Sequence, residues 1–281
     1  MVTFTKMHSA GNDFVVLREP AGADLPALAR QLCRRRYGVG ADGIMVLSRA
    51  AEDAYRVRMF NPDGSEDTCG NGTLCIALYL WQEALVHQTA FSLETLTGSK
   101  EVRVQPAQAA PTSVSVNMGR ADFSPAAIPA APDSGEILSK RLDIDGVPVV
   151  VSSVSTGTPH TVIFTDALPG DREFRRLAPR IEFHPLFPEQ TSVSWGVVEA
   201  QDRVRVRVWE RGAVGESLGC GTGACAIAAI GRRLGLLANR VTVASKGGEL
   251  GVAFDERDGA WLTGRPVRVF EGVLPMDAAA D

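Results

Sequence analysis

The sequence predicts an α+β fold of two pseudo-symmetric lobes, each a mainly antiparallel sheet wrapped around a central helix, with an active site in the cleft between them. Two observations carry that reading. The first is an internal repeat: Cys69-Gly70-Asn71-Gly72-Thr73 and Cys220-Gly221-Thr222-Gly223-Ala224 each follow a β-rich run and open an apolar, helix-like stretch. The second is that each half holds several short strand patterns separated by turn residues but only one or two helical ones. With 281 residues and 45% hydrophobic content, the chain can bury a full core and fits two lobes better than one.

In order along the chain, Phe14 to Leu17 reads as a buried strand, and Leu25 to Arg36 has helical spacing that stops before Gly38-Val39-Gly40. Ile44 to Leu47 and Tyr55 to Phe60 read as strands, Asn61-Pro62-Asp63-Gly64 as a turn, and Thr73 to Ala84 as an apolar helix covering the strands before it. Strand chemistry returns over 89–104 and 113–118. Phe123 to Ser134 is rich in Ala and Pro and is the expected crossing between lobes.

The second lobe repeats the order. Val149 to Val154 and Thr161 to Phe164 read as strands, Arg172 to Leu177 as a short helix, Val193 to Val198 and Val204 to Trp209 as strands, and Ala224 to Leu234 as the second apolar helix. The expected domains are 1–122 and 123–265, with a last strand at Val267 to Phe270, inside 266–281, returning to the first lobe. The repeat also reaches upstream of the cysteines, since Val57-Arg58-Met59-Phe60-Asn61 leads into Asp63-Gly64-Ser65 as Val206-Arg207-Val208-Trp209-Glu210 leads into Gly215-Glu216-Ser217.

Charge and composition narrow the function. A formal net charge of −4, with no basic stripe or Lys-rich tail, argues against nucleic-acid and membrane-surface partners. The N-terminus lacks the apolar core of a signal peptide, and no segment reaches the roughly 18 apolar residues of a membrane span, so a cytoplasmic address is expected. In such a reducing compartment the five cysteines are read as thiols, with Cys33, Cys75 and Cys225 buried in apolar runs. Ligand spacing gives no metal site, and neither a pyridoxal-binding nor a Rossmann or Walker pattern is evident, so no cofactor is expected.

Cys69 and Cys220 are different. A helix start leaves N–H groups unpaired and its dipole favours negative charge, so a thiol placed there is primed to act as thiolate. Two such thiols suit inversion of a stereocentre beside a carboxylate: one removes the proton on one face while the other delivers a proton on the opposite face, and the roles exchange after turnover. The amides of Gly70-Asn71-Gly72 and Gly221-Thr222-Gly223 can hold the carboxylate as its charge grows. The partner this implies is a small amino acid.

These residues resemble the diaminopimelate epimerase family almost end to end. The resemblance rests on His8 to Phe14, Gly38 to Gly43, Asn61 to Ser65, Cys69 to Gly72, Pro159-His160, Glu210-Arg211-Gly212 and Cys220 to Gly223. It implies a pyridoxal-independent isomerase that converts LL-diaminopimelate to the meso isomer, a step toward lysine and peptidoglycan, and it implies a homodimer. Cys69 would be the base toward the LL substrate and Cys220 toward the meso form. Gly70, Asn71, Gly221 and Thr222 would bind the reacting carboxylate, while Asn12, Asn61, Glu210 and Arg211 orient the rest of the substrate.

Three departures bear on the substrate. Thr158 and Ser192 each stand where the family has an asparagine that helps hold the distal end of diaminopimelate, and the 211–217 loop is one residue longer than usual, with Ser217 where Thr is common. A hydroxyl donates one hydrogen from a shorter arm than an amide. Two other readings therefore stand beside the epimerase: a racemase of the same family acting on another amino acid, and a non-catalytic amino-acid-binding protein. Read singly, Asn12 and Asn61 also fit turn caps, Glu210-Arg211 a strand-end charge pair, and His160 a hydrogen-bonded structural histidine.

Overall fold

The computed structural model of the protein describes residues 1–51, 54–107, 112–132, 134–212 and 215–274. The chain divides into two compact units, 1–116 with 263–281 and 117–262.

The first unit begins with β1 (Val2–Ser9) and β2 (Asn12–Arg18), joined by a two-residue hairpin in which Ala10 and Gly11 both take positive φ. Helix α1 (Leu25–Cys33) follows, capped by the Asp24 carboxylate on the Ala27 amide, and buries Leu25, Leu28, Ala29 and Leu32. Next come β3 (Gly43–Ala51), β4 (Ala54–Phe60), the two-residue β5 (Glu66–Asp67), α2 (Gly70–Gln82), β6 (Ala90–Thr95), β7 (Gly98–Gln105) and β8 (Ser113–Arg120). Helix α2 is apolar all round and buried from Gly70 to Leu80. It lies against β1, β2, β3, β4 and β7, which makes it the central helix of this unit.

The second unit repeats this order. It contains β9 (Lys140–Ile144), β10 (Val147–Ser155), β11 (Pro159–Phe164), α3 (Asp171–Glu182), β12 (Ser192–Ala200), β13 (Arg203–Trp209), the short β14 (Glu216–Ser217), α4 (Gly221–Arg233), β15 (Arg240–Ser245), β16 (Gly248–Phe254) and β17 (Gly259–Gly264). Its central helix is α4, buried at Gly221 and from Gly223 to Gly231 and packed against β10, β11, β12, β15 and β16. The last strand, β18 (Val267–Leu274), pairs antiparallel with β1, as β9 pairs with β10.

The pairing shows how each unit is wound. Most ladders are antiparallel, in keeping with the α+β class, but each helix bridges a parallel pair: α1 joins β2 to β3, α2 links β4 to β6, α3 joins β11 to β12, and α4 links β13 to β15. The duplication extends to register, with Phe60 opposite Glu66 in one unit and Trp209 opposite Glu216 in the other. Glu66 and Glu216 are thus the matched residues of the repeat, rather than Ser65 and Ser217.

Several elements differ from the sequence expectation. Helices α2 and α4 start at Gly70 and Gly221, three residues before the expected starts, because the cysteine occupies the cap and the glycines hide the first turn. Helix α1 stops at Cys33 rather than Arg36, where a turn closes through Gly38 N–H to Arg34 C=O and Arg36 takes positive φ. Helix α3 runs on to Glu182 despite Pro179, since Leu177, Ala178 and Ile181 bury its apolar face beside Phe174 and Trp195. The Ala- and Pro-rich stretch expected as the crossing packs into the second unit, where Ile128 is fully buried, and the division between units falls within β8.

Candidate active site

In the first unit, Cys69 is the N-cap of α2, with extended backbone at φ −141° and ψ 120° that turns the chain out of β5 and into the helix. Thr73 fixes that turn, since both its amide and its hydroxyl donate to the Cys69 carbonyl at 2.9 Å. Gly72 has no room for a side chain, as a Cβ would lie 2.5 Å from the buried Met45 sulfur. The helix mouth at Gly70-Asn71-Gly72 is consequently a fixed, positively polarised backbone end next to the half-buried thiol.

Asn12 leads out of the β1–β2 hairpin and places its Oδ1 3.8 Å from the Cys69 sulfur. The hairpin is anchored by charges from four places in the sequence. Arg35 Nη2 lies 2.8 Å from both Asp13 Oδ1 and Asp42 Oδ1, and the buried Lys6 Nζ lies 2.5 Å from Asp13 Oδ2 and also donates to the Gly40 carbonyl. The Asp13 and Asp42 backbone amides each donate to the other's carboxylate. Burial alone would raise the Asp13 carboxyl, but hydrogen bonds from Arg35 and Lys6 outweigh it and hold the group down to about 2.

Asn61 starts the turn before β5, donating from Nδ2 to Ser65 Oγ at 3.1 Å, and Gly64, at φ +88°, closes that turn onto the Asn61 carbonyl. On β4, Arg58 holds Glu66 of β5 through two hydrogen bonds of 2.8 and 2.7 Å. The second unit carries the equivalent pair, Arg207 with Glu216, both contacts at 2.7 Å. These bidentate pairs hold the short strands that lead toward the two cysteines.

Cys220 is the buried N-cap of α4, and its sulfur accepts from the Gly223 amide at 3.3 Å. Thr222 Oγ1 sits 3.4 Å from that sulfur and 3.0 Å from Nε2 of His160. Thr158 Oγ1 lies 3.0 Å from the same ring nitrogen and 3.4 Å from Thr222 Oγ1. The four side chains form one cluster inside the unit. Burial, helped by the nearby Arg211 charge, pushes the His160 imidazole down to about 3, so it is neutral at physiological pH.

Glu210 and Arg211 follow β13 on a turn that is pinned from below. Glu182, buried at the end of α3, accepts at 2.7 Å from the Trp209 indole and at 2.7 Å from the Gly212 amide. Ser192 Oγ accepts from the Arg211 amide at 3.0 Å, and the Arg211 guanidinium donates to the Glu189 carbonyl at 3.3 Å. The extra residue expected in the 211–217 loop involves Ala213 and Val214, which lie outside the described residues.

The structure thus brings Asn12 to Cys69, gathers Thr158, His160 and Thr222 around Cys220, and joins Ser192 to Arg211. Glu182, the Lys6–Asp13–Arg35–Asp42 network and the two Arg–Glu pairs are additions that the sequence did not single out. The remaining cysteines are core residues: burial pushes the Cys33 thiol up to about 12 and the Cys75 thiol well above its ordinary range, and Cys225 is fully buried. Among the described residues, no group of His, Cys, Asp and Glu side chains is placed to hold a metal ion, and no helix is long and apolar enough to cross a membrane.

Solved structures with this fold include a hydroxyproline epimerase from Agrobacterium vitis, at a TM-score of 0.74 and 16% identity over 99% of this chain and 92% of that one. A PhzF-family phenazine biosynthesis protein from Bacillus anthracis matches at a TM-score of 0.70 and 17% identity, over 98% of this chain and 99% of the other. At such identities the likeness is one of fold. The sequence goes further. The family model for diaminopimelate epimerase matches residues 4–124 and 152–269. The diaminopimelate epimerase of Desulforudis audaxviator is 42% identical over 96% of this chain and 98% of its own. That of Moorella thermoacetica is 38% identical over 98% and 99%. The chain belongs to the diaminopimelate epimerase family.

Proposed function

We propose that this protein is an isomerase that epimerises LL-diaminopimelate to meso-diaminopimelate without pyridoxal phosphate, using Cys69 and Cys220 as its two acid/base groups. One observation carries the reading: in a family member with duplicated topology, each unit places one cysteine at the N-cap of its buried central helix. Relatives bearing the diaminopimelate epimerase name match nearly the whole chain, so a racemase of a different amino acid and a non-catalytic binding protein are not favoured.

In the forward direction the Cys69 thiolate takes the α-proton, and the electron pair left on the α-carbon delocalises into the adjacent carboxylate. The Cys220 thiol then donates its proton to the opposite face. Cys69 ends as thiol and Cys220 as thiolate, which is the state that runs the reverse reaction. The amides at the two helix mouths offset the charge that grows on the carboxylate, most strongly in the transition state. Neutral His160 does not add a cation near Cys220. It acts instead through the Thr222 hydroxyl, which can donate to a Cys220 thiolate or accept from the thiol.

Asn12, Asn61, Glu210 and Arg211 orient the remainder of the substrate, with Thr158 and Ser192 in place of the usual amides. We further propose a cytoplasmic homodimer. The exposed Val267, Val269 and Val273 of β18 support a protein interface there. The activity is tested by proton NMR of LL-diaminopimelate with the reduced protein in D₂O. Loss of the α-proton signal with formation of the meso isomer is expected, and an α-proton signal that persists for diaminopimelate would overturn the reading.

A further inference from the structure

Glu182 lies on no sequence motif and at no helix mouth, yet it is a carboxylate only 2% exposed whose two oxygens are both spent on one short segment. Oε2 accepts from Trp209 Nε1 and Oε1 from the Gly212 amide, each at 2.7 Å, so the two contacts bracket Glu210 and Arg211. Between them, Ser192 Oγ accepts from the Arg211 amide at 3.0 Å. Burying a carboxylate is costly unless its acceptors are well used, and these contacts are short and charge-assisted. Gly212 takes φ +73°, a left-handed turn conformation that glycine adopts without steric cost.

From this arrangement we infer that Glu182 is a positioning residue for substrate recognition. With Ser192 it clamps the Trp209–Gly212 turn so that Glu210 and Arg211 are presented in one orientation. The inference rests on the proposed function, which gives those two residues their substrate contacts. It also assigns Ser192 a use in this chain: the hydroxyl that stands in place of the family's asparagine fastens the Arg211 backbone. Glu182 sits at the C-terminal end of α3, whose apolar face is locked into the core through Phe174, Leu177 and Ile181, so the clamp is tied to a rigid element.

The test measures KM and kcat for LL-diaminopimelate in the wild type, Glu182→Gln, Ser192→Ala and the double variant, with the Tm of each. Gln keeps the shape of Glu but turns an N–H₂ toward one of the two donors, so one contact is lost. The expected result is a KM raised by about tenfold in Glu182→Gln and less in Ser192→Ala, with kcat changed by under about threefold. The double variant should fall short of the product of the two effects because both act on one turn. An unchanged KM with a lowered Tm, or fully multiplicative effects, would overturn the clamp and leave Glu182 a structural residue. A wild type with no turnover of LL-diaminopimelate would instead overturn the functional reading, and the clamp with it.

Discussion

His160 Nε2 lies 3.0 Å from the Thr222 hydroxyl, and that same hydroxyl lies 3.4 Å from the sulfur of Cys220. An imidazole is thereby tied to a thiol by a group that can donate or accept but carries no charge. Beside Cys69 the Asn12 side-chain oxygen, which can only accept, lies 3.8 Å from the sulfur. The duplicated helix mouths therefore present their cysteines to different neighbours.

Changing Thr222 to Val keeps the shape and removes the link. A hydrogen bond of this kind contributes about 1 kcal/mol, so kcat/KM should fall about fivefold to tenfold with little change in Tm. Forward and reverse kcat/KM must fall together, since their ratio is fixed by the equilibrium constant. Steady-state assays run from LL and from meso substrate check both points.

The buried imidazole also makes the fold acid-labile. His160 titrates near 3 when folded against an ordinary 6.5, so below pH 6.5 the unfolded chain binds a proton that the folded chain refuses. Stability is lost as pH falls from 6.5 toward 3, by up to about 1.4 kcal/mol per pH unit from this group. Urea unfolding at a series of pH values should show that slope, and His160→Gln should show a slope smaller by one proton over the same window.

Asp13 acts lower on the pH scale. Its carboxyl is held at about 2 rather than 3.8, so the stability it contributes is intact above 3.8 and disappears as pH falls toward 2. Asp13→Asn leaves the buried Lys6 without its carboxylate, a change expected to cost about 3 kcal/mol at pH 7. The same substitution loosens the hairpin that aims Asn12 at Cys69, so kcat should fall in the fraction that remains folded. Denaturation midpoints and kinetics on one preparation separate the two effects.

Gly72→Ala tests the first helix mouth. The added methyl would meet Met45 at 2.5 Å inside the core, so a loss of about 1–3 kcal/mol is expected as the first turn of α2 shifts. The thiol of Cys69 moves with that turn, so activity should fall further than the stability change alone accounts for.

Local chemistry explains what could be read from the sequence. A cysteine followed by Gly-x-Gly at the start of an apolar run declares a helix mouth, because cap, glycine and apolar face lie within a dozen residues, and its repetition at Cys69 and Cys220 announced the duplicated architecture. The α+β class followed from strands and helices whose periodicity is equally local. The supports of the site were hidden because their partners are far apart in sequence: Lys6, Asp13, Arg35 and Asp42 converge from different elements, and Glu182 reaches the 209–212 turn from the end of a helix. β1, β9, β15, β16 and β17 lay outside the expected strands; in β9 charged residues break up the short apolar pattern, as in Lys140-Arg141-Leu142-Asp143-Ile144. The parallel pairs escaped notice because adjacency of strands in space leaves no mark on the strands themselves.

The central claim is that Cys69 and Cys220 share the proton transfers. The most direct measurement compares LL-diaminopimelate epimerisation, followed by formation of the meso isomer, for reduced wild type, Cys69→Ser and Cys220→Ser. Two-base chemistry predicts that each single variant loses about 10²–10⁴-fold in rate while keeping its fold. A serine variant at either position that epimerises as fast as the wild type would contradict it.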